Sequence, residues 1–486
     1  MQYSLSTPSP IWGRGSGREG LRMRYLLLFL FLFALSTEAQ VKVYDYPEGK
    51  EGLIPMKTFE VTAEGTPIPT YRCEVNPHRR VQQASWCQFE ALGRTRIKVV
   101  YHEGKIEQAV IRPASKGITY TQDNDSTIFF TVPQVRDNRS YALTVEINGD
   151  RQHNLHVFVD GPELQTFDAP SSDDPEAINW KTEQNHDVFV QNPHLIYFGP
   201  GVHKPHDLPS GEIKIPSHTT VYLAPGAVVR ARLIVDHAED VRIFGRGVLL
   251  TPLRGVEITY SKNVLIDGLT VINPQHYTVF GGQSDSIVVR NLRSFSRHPW
   301  SDGIDMMCCN DVTIEDVFLR NNDDAIAIYN HRWWYWGGTR GWHVRRATIF
   351  SDLAHPFNIG SHGDDRSEEG ELLHDVWIED CDILSADGDG IMAVRSGDKN
   401  RVEDIHFSNI RIEDVVTTSL FNLRVDFSQK YNRAPGNYVR DVWFQNIHFN
   451  GDATHLKPDV IVNYDDSHAV SDLHFKDVFV NGKKVR

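Results

Sequence analysis

Asp302, Asp323 and Asp324 have the type and spacing for acid–base chemistry. Asp302 lies in Trp300-Ser301-Asp302-Gly303-Ile304-Asp305, and the pair lies in Asn322-Asp323-Asp324-Ala325-Ile326-Ala327-Ile328. The 21 positions from Asp302 to Asp323 come close to one unit of a repeat that runs through this part of the chain. If that unit is one coil of a stacked fold, the three carboxylates meet on one surface patch. Like charges this close raise at least one pKa. A fold tolerates that where one acid must stay protonated beside ionised partners, as glycoside hydrolysis requires. A single Asp more often satisfies a corner or turn, as Asp267, Asp285 and Asp311 are expected to do. Three in register, with a His and an Arg one and two coils further on, point to a site.

The element that must position them is the repeat itself. From about residue 200 the chain reads apolar-x-apolar, a polar pair, then apolar-x-apolar, as in Val312-Thr313-Ile314-Glu315-Asp316-Val317-Phe318-Leu319. Copies start at Val241, Val264, Ile287, Val312, Trp342, Val376, Ile405, Val442 and Leu473, 23 to 37 residues apart. Alternation marks strands, the polar pair marks a sharp corner, and the unequal remainder marks loops. The expected fold is all-β: a right-handed parallel β-helix over residues 200–486, with coils stacked at about 4.8 Å. The longest insertions, after residues 328, 355 and 420, should wall a groove on one side. Residues 41–160 carry short alternating runs (Arg96–Tyr101, Gln108–Ile111, Thr127–Val132, Ala142–Ile147, Leu155–Val159) and are expected to form a small β-sandwich. Residues 161–199 are read as a linker leading into the helix.

These segments resemble the polygalacturonase family, glycoside hydrolase family 28, and its β-helical relative the dextranase family, family 49. The polygalacturonase signatures are Asn-Thr-Asp, Asp-Asp, Gly-His-Gly and Arg-Ile-Lys. Their counterparts here are Trp300-Ser301-Asp302, which keeps the Asp, Asp323-Asp324, Ala354-His355-Pro356, which keeps the His without its glycines and has Phe357-Asn358-Ile359-Gly360-Ser361 behind it, and Val394-Arg395-Ser396-Gly397, which keeps the Arg. The resemblance covers roughly residues 195–486, and a sandwich ahead of the helix is similar to the dextranase-family layout. It implies Asp323 as general acid, Asp302 and Asp324 as bases that activate water with inversion, and His355 as a residue that tunes or holds Asp323. Arg395 is implied to bind a sugar hydroxyl or carboxylate, and His362 is a second candidate for the histidine role. Gly397 stands where the family has the Lys that helps hold a uronate, so unsubstituted homogalacturonan is expected to be a poor substrate, and Lys399, two residues on, is a candidate substrate-binding residue that reaches back into the site if its loop folds over.

Trp333, Trp334, Tyr335 and Trp336 follow the Asp pair in a loop that ends at Gly337-Gly338. Aromatic faces stack on pyranose rings, so Trp333 and Trp334 are candidate sugar platforms, and Trp300 is a candidate subsite wall. Packing against a neighbouring loop is the alternative for the aromatic loop. The whole chain has 486 residues, 50 Lys+Arg against 64 Asp+Glu and a formal charge of −14. That balance argues against a nucleic-acid or anionic-membrane partner and leaves a glycan as the expected one. Residues 1–39 read as a signal peptide, with basic Arg22-Met23-Arg24, an apolar run Tyr25–Leu35 and a small residue at Ala39; Met23 is the expected true start. No later segment is apolar enough to cross a membrane, so a secreted or periplasmic product is expected. Cys73 and Cys87 are either a bridge or two buried thiols, and Cys308, Cys309 and Cys381 read as small core residues. No Cys/His spacing suits zinc, so neither metal nor cofactor is expected. Two competing readings are a β-helical polysaccharide lyase, whose Asp cluster would hold a cation, and a non-catalytic glycan-binding protein.

Overall fold

The computed structural model describes residues 40–135, 139–163, 169–180, 191–205 and 211–486. The signal-peptide reading of residues 1–39 lies outside the described residues. The second half of the chain winds into a right-handed parallel β-helix. Its walls are a 23-stranded sheet, from Ala177–Asn179 to Lys483–Lys484, and a 10-stranded sheet, from Glu212–Lys214 to Val460–Val462. Val241, Val264, Ile287, Val312, Trp342, Val376, Ile405, Val442 and Leu473 pair rung on rung in one ladder, so the starts of the nine repeat copies coincide in space. Their inward side chains join one continuous apolar core, which the alternation of a strand delivers to a single face.

The polar pair makes the corner for a backbone reason. Its second residue is Asn291, Asp316, Arg346, Asp380, Asn409, Asn446 or Asp477, each left-handed with φ between 49° and 61°. Asn and Asp tolerate that conformation because their short side chains bond locally. Arg346 departs from the type, and its guanidinium is held at 2.8 Å by Asp316 one coil below. Parallel pairing begins at Ala177–Asn179, ahead of the point where the repeat becomes legible. The first corners use Gly199-Pro200 and Pro225-Gly226 in place of the polar pair, which hides them from the pattern.

Residues 40–160 form two facing sheets. One contains Tyr71–Val75, Gln82–Leu92, Ser140–Ile147 and Asp150–Asp160; the other contains Phe59–Ala63, Thr95–Tyr101, Tyr120–Asn124 and Thr127–Val132. Cys73 and Cys87 are both buried and free. Cys73 pairs with Ala84, and Cys87 is an odd number of residues from Ala84, so the two thiols point to opposite faces. Cys87 joins the sandwich interior, while Cys73 joins Tyr46, Trp86, Phe158, Phe295 and Phe318 in the layer between sandwich and helix. Arg320 pins that layer. Its guanidinium reaches Asp352 at 3.3 Å, Asn154 Oδ1 at 2.8 Å, His156 Nε2 at 3.0 Å and the Arg151 carbonyl at 3.2 Å.

Candidate active site

The site stands on the outer face of the 10-stranded sheet. In strands Ile304–Met307, Ile326–Tyr329, Phe357–Gly360 and Met392–Ser396, Ile304, Ile326, Phe357 and Met392 share one inward rung. Two residues ahead of the first three lie Asp302, Asp324 and His355. The bonds from Gly303 N to the Asp324 carbonyl (2.9 Å) and from Ala325 N to the His355 carbonyl (2.8 Å) carry the register into this segment. The vertical partner of Asp302 is therefore Asp324, with Asp323 one position to the side. One oxygen from each of Asp302, Asp323 and Asp324 lies within 4.8 Å of the others, so the expected meeting of the three acids occurs. Among the described residues this is the group that could hold a cation.

The outward positions between the core residues supply the floor. Asp305, Ala327, Asn358 and Ala393 share a rung, and Tyr329 and Arg395 occupy outward positions two residues further along their strands. Asp324 is held at both oxygens. Oδ1 accepts His355 N (3.0 Å) and contacts His355 Nδ1 (2.7 Å), while Oδ2 accepts Asn358 Nδ2 (2.6 Å) and the Tyr329 hydroxyl (3.2 Å). The histidine thus pairs with Asp324, where the resemblance implied Asp323. Asp323 accepts only backbone N–H groups, from Asp324 (3.1 Å) and Trp300 (3.3 Å).

These environments separate the acids. Burial opposes ionisation of Asp324, but His355 and Asn358 outweigh it and draw its pKa down to about 2. Burial and then the Asp324 charge push Asp323 up to about 6. Burial, followed by Asp305 and the other two acids, pushes Asp302 well above the carboxylate range. Asp305, buried behind Asp302 and touching it, is pushed up to about 7 by burial, opposed by Arg332 at 3.7 Å. Fixed partners thus hold Asp324 as an anion, while burial and neighbouring charge favour the protonated form of the other three acids.

Trp300, Asp302, Asp323, Asp324, His355, His362 and Arg395 line one cleft. Three loops wall it: Asn330–Gly338, Ser361–Glu371 and Asp426–Gly436, which follow the strands where long insertions were expected. Tyr277, Arg332, Asn358, Asp426, Tyr431 and Asn432 also line it and were not singled out from sequence. Trp300 is half-exposed on the rim, with Lys430 Nζ 5.6 Å from its ring centroid. His362 is half-buried edge-on to Tyr329, and desolvation and then Arg332 pull its pKa well down, so it lines the cleft neutral. The aromatic loop divides its roles. Tyr335 is the anchor, so close above Gly282 that a Cβ there would lie 2.3 Å from its ring. Trp333 and Trp336 line an adjoining cleft with His331, Arg332, Arg366 and Tyr431. Trp334, 61% exposed and stacked on Trp333, lines neither cleft. Lys399 also lines neither: its left-handed backbone turns the amine to the Ser367 carbonyl at 3.0 Å.

The sequence model described as Glycosyl hydrolases family 28 matches residues 231–486. An exopolygalacturonase of Arabidopsis thaliana is 22% identical over 202 residues, 40% of this chain and 44% of the relative. A polygalacturonase of Chamaecyparis obtusa is 23% identical over 197 residues, 40% of this chain and 36% of the relative. The chain thus spans less than half the length of these curated relatives. Dex49A from Penicillium minioluteum shares the fold at a TM-score of 0.60 and 16% identity, over 91% of this chain and 92% of that one.

Proposed function

The chain belongs to family 28 of the glycosyl hydrolases, and we propose that it is an exported hydrolase that cleaves a polysaccharide or oligosaccharide by single displacement, with inversion. The observation that carries this reading is the split among the acids: Asp323 near 6 beside Asp324 near 2. Asp323 protonates the glycosidic oxygen. Asp324, saturated by four donors, stays an anion and stabilises the positive charge that develops on the sugar ring. The Asp302–Asp305 pair takes the proton of the attacking water: the two touching carboxyls share one proton before the step, and the carboxylate charge left in the pair accepts the second. His355 fixes Asp324, and its Nε2, buried with no protein partner, is left to meet the sugar. A lyase would use the same three oxygens for a cation, and family membership favours hydrolysis over that reading. An unsaturated, ultraviolet-absorbing product would reverse the choice.

Retention is a second reading, favoured by spacing. Inverting enzymes commonly separate their carboxyls by roughly 6.5–9.5 Å and retaining ones by roughly 5–5.5 Å, whereas the nearest oxygens here lie within 4.8 Å. Against retention, Asp324 is bonded at both oxygens and has none free to bond carbon. NMR of the first-formed product is expected to show the inverted anomer, and a retained anomer would establish the glycosyl-enzyme route.

The pH profile has a predicted sign. The general acid must carry its proton, so kcat/KM is expected to fall as pH rises through about 6, where Asp323 ionises. A plateau extending to pH 8 would remove Asp323 from that role.

A further inference from the structure

We propose that Asp426 is a specificity-determining residue, clamping Arg395 so that the sugar beside the catalytic carboxylates must be neutral. This rests on the reading of the Asp302–Asp323–Asp324 cleft as a glycosidase site. Arg395 projects outward from strand Met392–Ser396 into that cleft, and its Nη2 donates to Asp426 Oδ2 at 3.2 Å. Asp426 follows directly on strand Phe421–Val425, one coil further on, and its backbone N–H bonds the Ser396 carbonyl at 3.0 Å. The carboxylate is therefore held in place by the backbone of the coil that presents Arg395.

Three other positions from which a cation could be expected on this wall do not offer one. At Gly397 a Cβ would lie 2.5 Å from Asn432 Nδ2 and 2.6 Å from the Ser361 carbonyl. Asn432 has little room to yield, because its amide donates to that same carbonyl at 2.8 Å and to Asp398 Oδ2 at 2.9 Å. No longer side chain fits at residue 397. Lys399 is turned away to Ser367. Arg332, the other guanidinium lining this cleft, faces Asp305 at 3.7 Å. One arginine is left on the wall, its charge matched by an adjacent carboxylate, and the cation at the rim, Lys430, stands 5.6 Å from the Trp300 ring centroid with its amine donated to the Tyr431 hydroxyl.

A sugar carboxylate entering here must displace Asp426 from Arg395 or sit beside it as an unpaired like charge, and both are unfavourable in a partly buried cleft. A neutral pyranose meets a better match. The arginine's remaining N–H donors and the aspartate's oxygens form a donor–acceptor fork that can bond adjacent hydroxyls. Specificity then comes as much from repulsion of the wrong sugar as from attraction of the right one.

The test measures binding of oligogalacturonides and of the same oligomers with their carboxyls reduced to alcohols. Calorimetry is run on the full chain carrying Asp323→Asn, with and without Asp426→Asn. The Asp323→Asn protein is expected to prefer the reduced oligomer at least tenfold. Adding Asp426→Asn is expected to lower that preference at least tenfold, because Arg395 is released to take a carboxylate. An unchanged ratio, a preference for the acid in the Asp323→Asn protein, or no binding of either oligomer to either protein overturns the proposal. Hydrolysis by Asp323→Asn, measured in parallel, reports separately on the glycosidase reading: retained turnover sinks that reading while the binding ratio still judges Asp426.

Discussion

Asp323→Asn is expected to lower turnover on a natural glycan by about 10²–10⁴-fold, the usual contribution of a positioned general acid. A sugar alkoxide is a poor leaving group, and an amide cannot protonate it. The loss should shrink sharply on a glycoside whose leaving group is already a weak base, such as a nitrophenolate, because that group departs unprotonated. This contrast separates loss of the acid from a misfolded cleft, which would depress both substrates alike. Stability should move the other way. The Asp323 pKa stands near 6 in the folded chain against about 3.9 in an unfolded one. Its ionisation therefore costs nothing below the lower value, costs more as pH rises through that window, and costs fully above about 6. Asn removes the cost, so thermal stability at pH 7 should equal or exceed that of the parent, with no gain at pH 3. Undiminished hydrolysis of the natural glycan would take the acid role from Asp323.

Much of the site could be read in advance because a β-helix converts sequence spacing into position. The nine repeat starts share one ladder, and each returns to the same wall whatever the length of the loop between, so Asp302, Asp324 and His355 could be placed near one another from spacing alone. The finer register could not. Asp302 to Asp323 and Asp302 to Asp324 are both close to one coil, and only the hydrogen bonds around Gly303 and Ala325 choose between them. Asn358 and Asp305 were open to inference, since alternation from the inward Phe357 and Ile304 turns both outward to the floor. Tyr431 and Asn432 carried no such signal. They sit in a loop without periodicity that folds back over the cleft, where Asn432 is placed by its bonds to the Ser361 carbonyl and Asp398. Lys399 illustrates the reverse case. It is near the site in sequence, but a left-handed turn sends its amine elsewhere.

Arg320→Ala is expected to be the most damaging substitution away from the cleft. Arg320 is a helix-wall residue with no exposed side-chain surface, as is its partner Asp352, and its other bonds reach across to Asn154, His156 and the Arg151 carbonyl of the sandwich. His156 is held neutral there by burial and then by the arginine itself, so one cation satisfies groups on both sides of the layer. The guanidinium also lies 4.0 Å above the Phe350 ring. Removing it strands a buried carboxylate, whose pKa burial already raises and the arginine restrains, and takes a donor from three sandwich acceptors. Breaking a buried pair in this way costs about 3–5 kcal/mol, an amount comparable to the whole stability of many domains. The loss should fall on the junction: the helix core contains neither residue, so calorimetry is expected to show the sandwich melting earlier and apart from the helix. Replacement by Met, which keeps the volume but not the charge, should destabilise nearly as much, because the unpaired Asp352 remains. Pairing that change with Asp352→Asn should recover a large part of the loss. A single unshifted transition in Arg320→Ala would show that the aromatic layer of Trp86, Phe158, Phe295 and Phe318 holds the two parts together without it.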